Sequence, residues 1–357
     1  MYKQRIERVL AALEAKGLSQ MIVSDPKSIW YLTGVDVEPM ERMFALILRR
    51  DGSHKLLMNR LFPGPDSDLA VVWMTDTTDH VGVVAANVDP AAPLGIDKLW
   101  PARWLLPLME RCPGMHCVLA SDCVDDVRAV KDEAELVLMR EASRINDLVI
   151  QRAADYVKVG MTEKQVADFI AAQFLAEGCE GNSFPSIVSY GAHGADPHHE
   201  PDDTVLKEGD SIMIDMGCQK NRYCSDMTRT FFCKTADPKY AEIHDLVRRA
   251  NEAAEALVRP GVALKDLDAA ARDLITEAGY GEYFNHRLGH FIGQTDHEQG
   301  DVSSVSPIIA KPGMIFSIEP GVYLPGEFGV RVEDLVLVTE DGCEVLNKVD
   351  HHWRCIG

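Results

Sequence analysis

The chain has 357 residues, of which 46% are apolar, so it is long and apolar enough for two or three domains with hydrophobic cores. Its 36 basic and 56 acidic residues give a formal net charge of -20, which argues against a nucleic-acid partner because that binding needs an excess of clustered lysine and arginine. No uncharged apolar run approaches the roughly 18 residues of a transmembrane helix, so the sequence predicts no membrane span.

Two features of the sequence bear on its compartment. The start of the chain predicts an amphipathic helix and no signal peptide, since apolar residues recur on one helical face and Gly17 ends the pattern. The nine cysteines are odd in number and include no C-x-x-C pair, which favours neither a disulfide framework nor a zinc knuckle. Both observations predict a cytoplasmic protein in a reducing compartment.

Residues 1–124 predict a small α/β domain with short elements. A strand over residues 21–24 follows the first helix, and strands over 44–48 and 56–58 flank Asp51-Gly52, a strong hairpin signal. Further strands are predicted over residues 71–74, 94–97 and 117–119, and a helix over residues 99–111. This stretch carries no catalytic motif, so packing or oligomerisation is its predicted role.

Residues 125–357 predict a second domain, because the composition changes to helix formers after about residue 125. The first helix is predicted over residues 131–157. Thr162, with Gln165 three residues later, forms a capping box that opens a helix ending at Gly178. Two further helices are predicted over residues 238–259 and 264–278, and strands between and after them carry the candidate site residues.

An internal repeat links the two halves of the second domain. Residues 207–217 and 311–321 match as K-x-G-x-x-x-x-I-acid-x-G, with Asp215 and Glu319 at the acidic position. Each copy predicts a turn, an apolar strand and a carboxylate, so facing half-domains would bring the two strand ends together. Two carboxylates at one place repel unless a cation lies between them. The repeat therefore predicts a central acidic site.

A second carboxylate follows each copy of the repeat. Asp226 comes eleven residues after Asp215, in a strand-like segment that a hairpin through Lys220-Asn221 would lay beside the first strand. Glu333 follows Glu319 in a strand-like run over residues 329–338. Because buried charges need compensation, four converging carboxylates require cations among them.

The charge of this cluster predicts the cofactor. Two divalent cations carry +4, which matches four carboxylates, and His290 between Gly289 and Gly293 adds a neutral imidazole on a backbone that permits close approach. Mostly oxygen ligands with one histidine favour Mn(II), with Co(II), Zn(II) and Fe(II) as alternatives. Alone, a strand-end aspartate is more often a turn residue, and a histidine between glycines is more often structural. The prediction therefore rests on the occurrence of all five residues in this order along the chain.

The ordered motifs resemble the M24 metallopeptidases of pita-bread fold, which include methionine aminopeptidases, aminopeptidase P and prolidase. The resemblance covers essentially the whole chain and implies a creatinase/prolidase-like α/β N-terminal domain before an α+β pita-bread catalytic domain with an internal pseudo-twofold repeat. The matching motifs are Ile214-Asp215-Met-Gly217, Ser225-Asp226-x-Thr228-Arg229-Thr230, His286-x-x-Gly289-His290, His297-Glu298, Ile318-Glu319-Pro320-Gly321-x-Tyr323 and Arg331-Val332-Glu333-Asp334.

The resemblance also implies a role for each ligand. Asp215 would serve one ion, His290 and Glu319 the second ion, and Asp226 and Glu333 both ions. A hydroxide between the two ions would then attack the amide bond. Glu319 would accept the proton of the attacking water and pass it to the leaving amine.

Further residues match the substrate side of the family's site. His198 resembles a histidine that helps to hold the substrate, and His297 resembles the one that hydrogen-bonds the scissile carbonyl and stabilises the oxyanion. His286 resembles the histidine of the proline pocket. Arg331 resembles the arginine that orients the bridging carboxylate and substrate, and Tyr323 completes the motif beside Glu319.

Plain alternatives exist for several of these side chains. Arg331 could form an ordinary surface salt bridge. The simplest interpretation of His199, His351 and His352 is that they are surface histidines.

The substrate class follows from the branch of the family that the chain resembles. A short N-terminal α/β domain together with His198, His286 and His297 implies the Xaa-Pro branch, in which a dipeptidase or an aminopeptidase cleaves before proline. The frequent H-E-x-P run is replaced by His297-Glu298-Gln299-Gly300, so the loop beside the substrate is altered.

Two other functions fit the same fold. One is a metal-dependent hydrolase or lyase that does not act on peptides, and the other is a catalytically silent peptide-binding protein. The intact set of five ligands argues against the silent protein, which would have lost ligands. The resemblance also implies a homodimer, for which the sequence gives no direct signal.

Overall fold

The computed structural model describes all 357 residues, which divide into two compact units, Met1–Arg128 and Ala129–Gly357. The predicted domain boundary near residue 125 lies inside the helix that ends the first unit. The elements of this unit are α1 (Lys3–Ala15), β1 (Gln20–Val23), α2 (Pro26–Thr33), β2 (Ala45–Arg49), β3 (Lys55–Asn59), β4 (Ala70–Met74), α3 (His80–Ala85), β5 (Leu94–Ile96), α4 (Ala102–Arg111), β6 (Cys117–Leu119) and α5 (Asp122–Ala129).

The first unit is the predicted α/β domain, built on one six-stranded mixed sheet with strand order β4-β3-β2-β1-β5-β6. The predicted hairpin is present, since β2 and β3 pair antiparallel and Gly52 adopts a φ of +84° in the turn. Alternate residues of β2 face opposite sides: Leu46 and Leu48 pack with α1, α2 and α5, whereas Ala45 and Ile47 pack with α3 and α4.

One element of this unit begins later than predicted. Helix α4 starts at Ala102, whereas the pattern of apolar residues predicted a start at Leu99. Pro101 occupies the N-cap position with extended backbone (φ -62°, ψ 136°), and a residue before proline disfavours the helical conformation. The backbone N–H of Leu99 instead donates to the Asp97 carboxylate at 3.0 Å.

The second unit contains four long helices and two larger sheets. Short 3-10 turns lie at Gly191–Ala195 and Gly281–Tyr283. Its elements are α6 (Glu133–Tyr156), α7 (Glu163–Ala176), β7 (Gly181–Asn182), β8 (Ile187–Tyr190), β9 (Ser211–Met216), β10 (Cys218–Lys220), β11 (Tyr223–Cys224), β12 (Met227–Cys233), α8 (Pro238–Glu255), α9 (Leu264–Glu277), β13 (Gly289–Phe291), β14 (Glu298–Val302), β15 (Ile315–Ile318), β16 (Gly321–Leu324), β17 (Phe328–Arg331), β18 (Asp334–Val338), β19 (Cys343–Val345) and β20 (Cys355–Ile356).

The predicted internal repeat is visible in how these elements pack. One half places α6 and α7 on the sheet of order β20-β12-β9-β8, and the other places α8 and α9 on the sheet of order β14-β13-β15-β18-β19. The two matching turns have the same backbone, since Gly209 and Gly313 adopt φ values of +88° and +86°. This is the α+β pita-bread architecture with two related halves.

The helix signals of the second unit were largely confirmed. Thr162 and Gln165 form the predicted capping box, and Asp132 with Glu135 forms another at the start of α6. Helix α8 ends at Glu255 rather than residue 259, and the chain leaves it through tighter turns in which the N–H groups of Leu257 and Val258 bond the carbonyls of Ala254 and Glu255.

The strand predicted over residues 329–338 is interrupted. Strand β17 ends at Arg331 and β18 begins at Asp334, so Glu333 lies in the break between them. No helix is both long and apolar enough to cross a bilayer. All nine cysteines carry free thiols.

Candidate metal centre

Five predicted ligand side chains line one cavity of about 420 Å³ in the second unit. Equivalent positions of the two halves supply four of them. Asp215 lies in β9, Asp226 between β11 and β12, His290 in β13, Glu319 immediately after β15, and Glu333 between β17 and β18. The convergence that the repeat predicted is therefore present.

Strand pairing within each half explains why the carboxylates meet. Strands β9 and β12 pair antiparallel, with Asp215 opposite Thr228, so Asp226 lies just beyond the pairing partner of Asp215. Strands β15 and β18 pair antiparallel with Ile318 opposite Asp334, which places Glu319 and Glu333 at the same end of that sheet. The antiparallel strand arrangement that the sequence predicted is therefore present in both halves.

A close backbone approach fixes His290 beside Glu319. A Cβ atom on Gly289 would lie 1.9 Å from the Ser317 carbonyl oxygen, so no larger residue fits there. The Ser317 hydroxyl accepts the backbone N–H of His290 at 3.0 Å and donates to Glu319 Oε1 at 3.1 Å. Ser317 thus connects two ligands of the same predicted ion.

The hydrogen bonds of His290 leave one ring nitrogen for the cavity. Its Nδ1 donates to the Phe291 carbonyl at 3.2 Å, and its Nε2 lies 3.5 Å from both Asp226 Oδ2 and Glu319 Oε1. Burial lowers the pKa of His290 to about 3, so the imidazole is neutral. A neutral imidazole with an oriented second nitrogen is the form that binds a metal ion.

The carboxylates lack enough compensating positive charge. Burial, then repulsion from neighbouring carboxylates, raises the pKa of Asp226 and Glu333 well above the ordinary range, and burial raises the pKa of Glu319 to about 7. The buried Oδ1 atoms of Asp215 and Asp226 have no hydrogen-bond partner. Oxygen atoms that are buried, anionic and unpartnered fit divalent cations.

Stability of the metal-free protein is therefore expected to fall as pH rises from about 6.5 to 8.5. Carboxyl groups with raised pKa release protons on unfolding in this range, and unfolding then becomes easier with pH. His286 and His290, whose lowered pKa values give the opposite slope, contribute only below their unfolded pKa of about 6.5. Thermal melts in a chelator at both pH values test this, and adding Mn(II) should reduce the difference. Equal melting temperatures in the chelator would contradict the expectation.

Arg331 connects the ligands to the wall of the cavity. It is 3% exposed, so the alternative of a surface salt bridge is wrong. It donates to Asp215 Oδ2 from Nη2 and to the Thr228 hydroxyl from Nε at 2.9 Å. The Thr228 hydroxyl in turn donates to Glu333 Oε2 at 2.6 Å. Arg331 therefore orients Glu333 through Thr228, a residue that the sequence motif contains but to which it assigned no role.

Tyr323 lies behind the cavity wall and does not line it. Its hydroxyl accepts from Arg331 Nη1 at 2.9 Å and donates to His286 Nε2 at 2.9 Å. His286 Nδ1 donates to the Arg287 carbonyl at 2.7 Å, and burial with the nearby Arg331 lowers its pKa to about 3. His286 is thus held neutral, with its ring in the cavity lining.

His198 and His297 lie at the exposed rim of the cavity. The His297 ring lies 3.9 Å from that of His290, measured between ring centroids. Arg287 Nη2 donates to His297 Nδ1 at 3.1 Å, so the proton of a neutral His297 resides on Nε2. Arg287 also lines the cavity, and only its position inside the His286-x-x-Gly289-His290 motif could have drawn attention to it.

A buried carboxylate organises the segment that carries His198. Glu163 is fully buried, and its Oε1 accepts the backbone N–H of Tyr190 at 2.9 Å and contacts His193 Nδ1 at 3.0 Å. Its Oε2 contacts His199 Nε2 at 2.7 Å and accepts the backbone N–H of Asp202 at 3.1 Å. The interpretation of His199 as a surface residue is therefore wrong, because it bonds a buried partner that lies distant in sequence.

Replacing Glu163 with alanine is expected to raise KM several-fold while the metal content stays unchanged. The four donors around Glu163 would lose their acceptor, and each one left buried costs about 1–3 kcal/mol of folding free energy. The segment that carries His198 would then become less rigid, whereas the five proposed metal ligands would keep their positions. Titration calorimetry and steady-state kinetics test this against Lys164→Ala, an exposed change in the same helical turn. Unchanged KM would show that Glu163 does not position this segment.

The altered loop after His297 has its own structural cause. Strand β14 pairs with β13 through a register shift at His290 and Phe291, and Gly300 adopts a φ of +115° within β14. A Cβ atom on Gly300 would lie 2.6 Å from the Phe291 ring. The Glu298 carboxylate is held by the backbone N–H of Gln294 at 3.0 Å. Glycine is thus required in this loop by packing.

The fold and the site together define a metallopeptidase of pita-bread architecture. The model of metallopeptidase family M24 matches residues 137–340, and that of the creatinase/prolidase N-terminal domain matches residues 5–130. The chain belongs to the M24 family and is a metal-dependent enzyme.

The chain is similar to several known proteins over nearly its full length. A probable dipeptidase PepE of Mycobacterium bovis is 38% identical over 98% of this chain and 96% of its own. The crystal structure of dipeptidase PepE from Mycobacterium ulcerans has a TM-score of 0.94 at 36% identity, covering 99% and 98% of the two chains. A Xaa-Pro dipeptidase from Bacillus anthracis has a TM-score of 0.91 at 26% identity, covering 99% of each chain.

Proposed function

We propose that this protein hydrolyses the Xaa-Pro bond of dipeptides and short peptides with two divalent metal ions, Mn(II) being preferred. The observation that carries the proposal is the cavity in which buried carboxylates, two of them with an unpartnered oxygen, and a neutral imidazole face a rim of histidines. The similar proteins named dipeptidase and Xaa-Pro dipeptidase support this substrate class.

The family resemblance divides the ligand side chains between two ions. Asp215 would hold one ion, His290 and Glu319 the other, and Asp226 and Glu333 both. The oxygen-rich donor set with one imidazole fits Mn(II), Co(II), Fe(II) or Zn(II). Bound divalent ions supply Lewis acidity, which makes a nucleophilic hydroxide available near neutral pH.

Two side chains are placed to handle protons and developing charge. Burial raises the pKa of Glu319 to about 7 in the metal-free site, and its carboxylate is the group that would take the proton of the attacking water and deliver it to the leaving amine. His297 carries its proton on Nε2 because Nδ1 accepts from Arg287. That Nε2–H is the donor for the oxyanion that forms on the scissile carbonyl.

Recognition of proline has to use shape and the substrate carboxylate, because a prolyl nitrogen offers no N–H. The neutral ring of His286 and the rim side chain of His198 supply surfaces for this purpose. The donors of Arg331 are used by Asp215, Thr228 and Tyr323, so it acts mainly by holding these groups in place.

The direct test compares Xaa-Pro dipeptides with longer Xaa-Pro peptides as substrates of the Mn(II)- and Co(II)-loaded protein. Cleavage of dipeptides alone would identify a dipeptidase, and cleavage of both would identify an aminopeptidase. Inactivity on both would favour a reaction other than peptide hydrolysis on the same fold and would overturn the proposal.

We also propose a cytoplasmic location and a homodimer formed through the first unit. The free thiols of all nine cysteines support the location. The family resemblance supports the dimer. Light scattering of the purified chain, with the separately expressed second unit as comparison, tests the oligomeric state.

A further inference from the structure

A second group of side chains that could hold a metal ion is not used by the proposed reaction, and one of its members, Asp334, directly follows Glu333 in the sequence. Glu255 at the end of α8, Asp334 at the start of β18 and His351 after β19 each offer one ligand atom, and these atoms lie within 4.8 Å of one another. Glu255 and His351 also line a surface pocket of about 310 Å³. The cluster therefore combines buried donors with access from solvent.

The two carboxylate oxygens of Asp334 have different surroundings. Its carboxylate is fully buried, and Oδ1 accepts from Arg229 Nη2 at 2.6 Å. Oδ2 lies 3.0 Å from His351 Nε2, yet it has no hydrogen bond, so the two atoms are close without the alignment that a hydrogen bond needs. A cation that displaced the proton of His351 Nε2 would therefore meet both atoms.

Glu255 adds a second anionic oxygen to the same place. The residue is 8% exposed, and its Oε1 is buried without a hydrogen-bond partner. Arg229 is the buried cation beside Asp334, whereas the ammonium group of Lys348 donates to the Val345 carbonyl. One guanidinium facing two carboxylates leaves an excess of negative charge, which an additional cation would neutralise.

The orientation of His351 suits a metal ligand. Its Nε2 points at Asp334 Oδ2, 3.0 Å away, and its Nδ1 lies 3.8 Å from Glu252 Oε1, so a cation bound at Nε2 would place the ring proton on Nδ1, toward Glu252. A carboxylate behind a metal-binding histidine is a common arrangement.

We propose that Glu255, Asp334 and His351 form a further divalent-cation site, separate from the five ligands of the catalytic cavity. Two carboxylate oxygens and one imidazole nitrogen suit a zinc-like ion, with water from the pocket completing its coordination. The ion would hold Asp334, and through it Arg229, whose Nη1 donates to the Glu333 carbonyl at 2.7 Å. The site would thus support the backbone of a catalytic ligand.

Metal analysis of zinc-loaded, desalted protein tests the proposal. The wild type is expected to retain one zinc ion more per chain than Glu255→Gln or His351→Gln, as measured by mass spectrometry of the metal. His352→Gln, a change at the adjacent exposed histidine, is the matched control and should retain the wild-type content. Because His351 is partly exposed, its variant is expected to fold even if Glu255→Gln does not, and circular dichroism checks this.

Location of the ion makes the test specific. Zinc-edge anomalous density in crystals of the loaded wild type is expected between Glu255, Asp334 and His351 and should vanish in His351→Gln. Equal zinc content in wild type and both variants, or no density at this place, would overturn the proposal. The outcome is independent of peptide cleavage, because a protein inactive on Xaa-Pro peptides could still carry the extra ion.

Discussion

Replacing Asp226 with asparagine is expected to remove the ions of the catalytic cavity and to reduce kcat/KM by about three orders of magnitude or more, since the ions supply the hydroxide. The asparagine keeps the size of the side chain but loses the charge that would serve both ions. In the wild type the Asp226 carboxylate lies 3.5 Å from His290 Nε2, so the substitution removes a charge from the middle of the ligand set. Calorimetric Mn(II) titration and peptide assays on one preparation measure both losses.

Asp296→Asn provides the control for this experiment. Asp296 also lines the cavity but is not a proposed ligand, so the same chemical change there should leave the ions bound. Glu333→Gln should repeat the behaviour of Asp226→Asn, because Glu333 is the other carboxylate assigned to both ions. Full occupancy of the cavity in Asp226→Asn would contradict the bridging assignment.

Replacing His297 with alanine is expected to leave the ions bound and to lower kcat by about 100-fold to 1,000-fold, the usual effect of losing one oxyanion donor. His297 lies at the rim, and its Nε2–H is directed by the hydrogen bond from Arg287 to Nδ1. The loss should appear in kcat more than in KM, because the donor acts on charge that develops during the reaction.

His352→Ala is the matched control for His297→Ala, since it removes an exposed imidazole that pairs with Asp350 and does not line the catalytic cavity. Its kinetics should equal those of the wild type. Loss of metal in His297→Ala would assign His297 to the ligand set, and unchanged kcat would remove it from the mechanism.

The sequence predicted the site well where local patterns repeat. The duplicated turn, strand and acid located Asp215 and Glu319, and the following hairpins located Asp226 and Glu333. His290 was found because glycines beside it allow a backbone approach that the structure shows at Gly289. Strong local signals and a charge balance were sufficient for these residues.

Residues that act through contacts distant in the sequence were missed or misjudged. Glu163 has the pattern of an ordinary first-turn helix residue, yet it is buried under side chains about 30 residues later. His351 was taken for a surface residue, although it faces Asp334 in the core. The break at Glu333 was missed because the residues on both sides of it are strand formers. In the structure β17 ends at Arg331 and β18 begins at Asp334, so Glu333 lies outside both strands.

The five proposed ligands also help to distinguish the alternative functions. A silent peptide-binding protein would not keep five ligand side chains on one cavity wall, and all five are present. A non-peptidase enzyme of the same fold would keep the ions and fail on peptides. The peptide assays therefore distinguish these cases after the ions have been located.

We propose above all that divalent ions in the catalytic cavity neutralise the charge shared by its five ligands, Asp215, Asp226, His290, Glu319 and Glu333. Anomalous diffraction from Mn(II)-soaked crystals tests it most directly. Two peaks enclosed by these five side chains are the predicted result. A cavity without manganese density, its carboxylates turned away from one another toward solvent, would contradict the account.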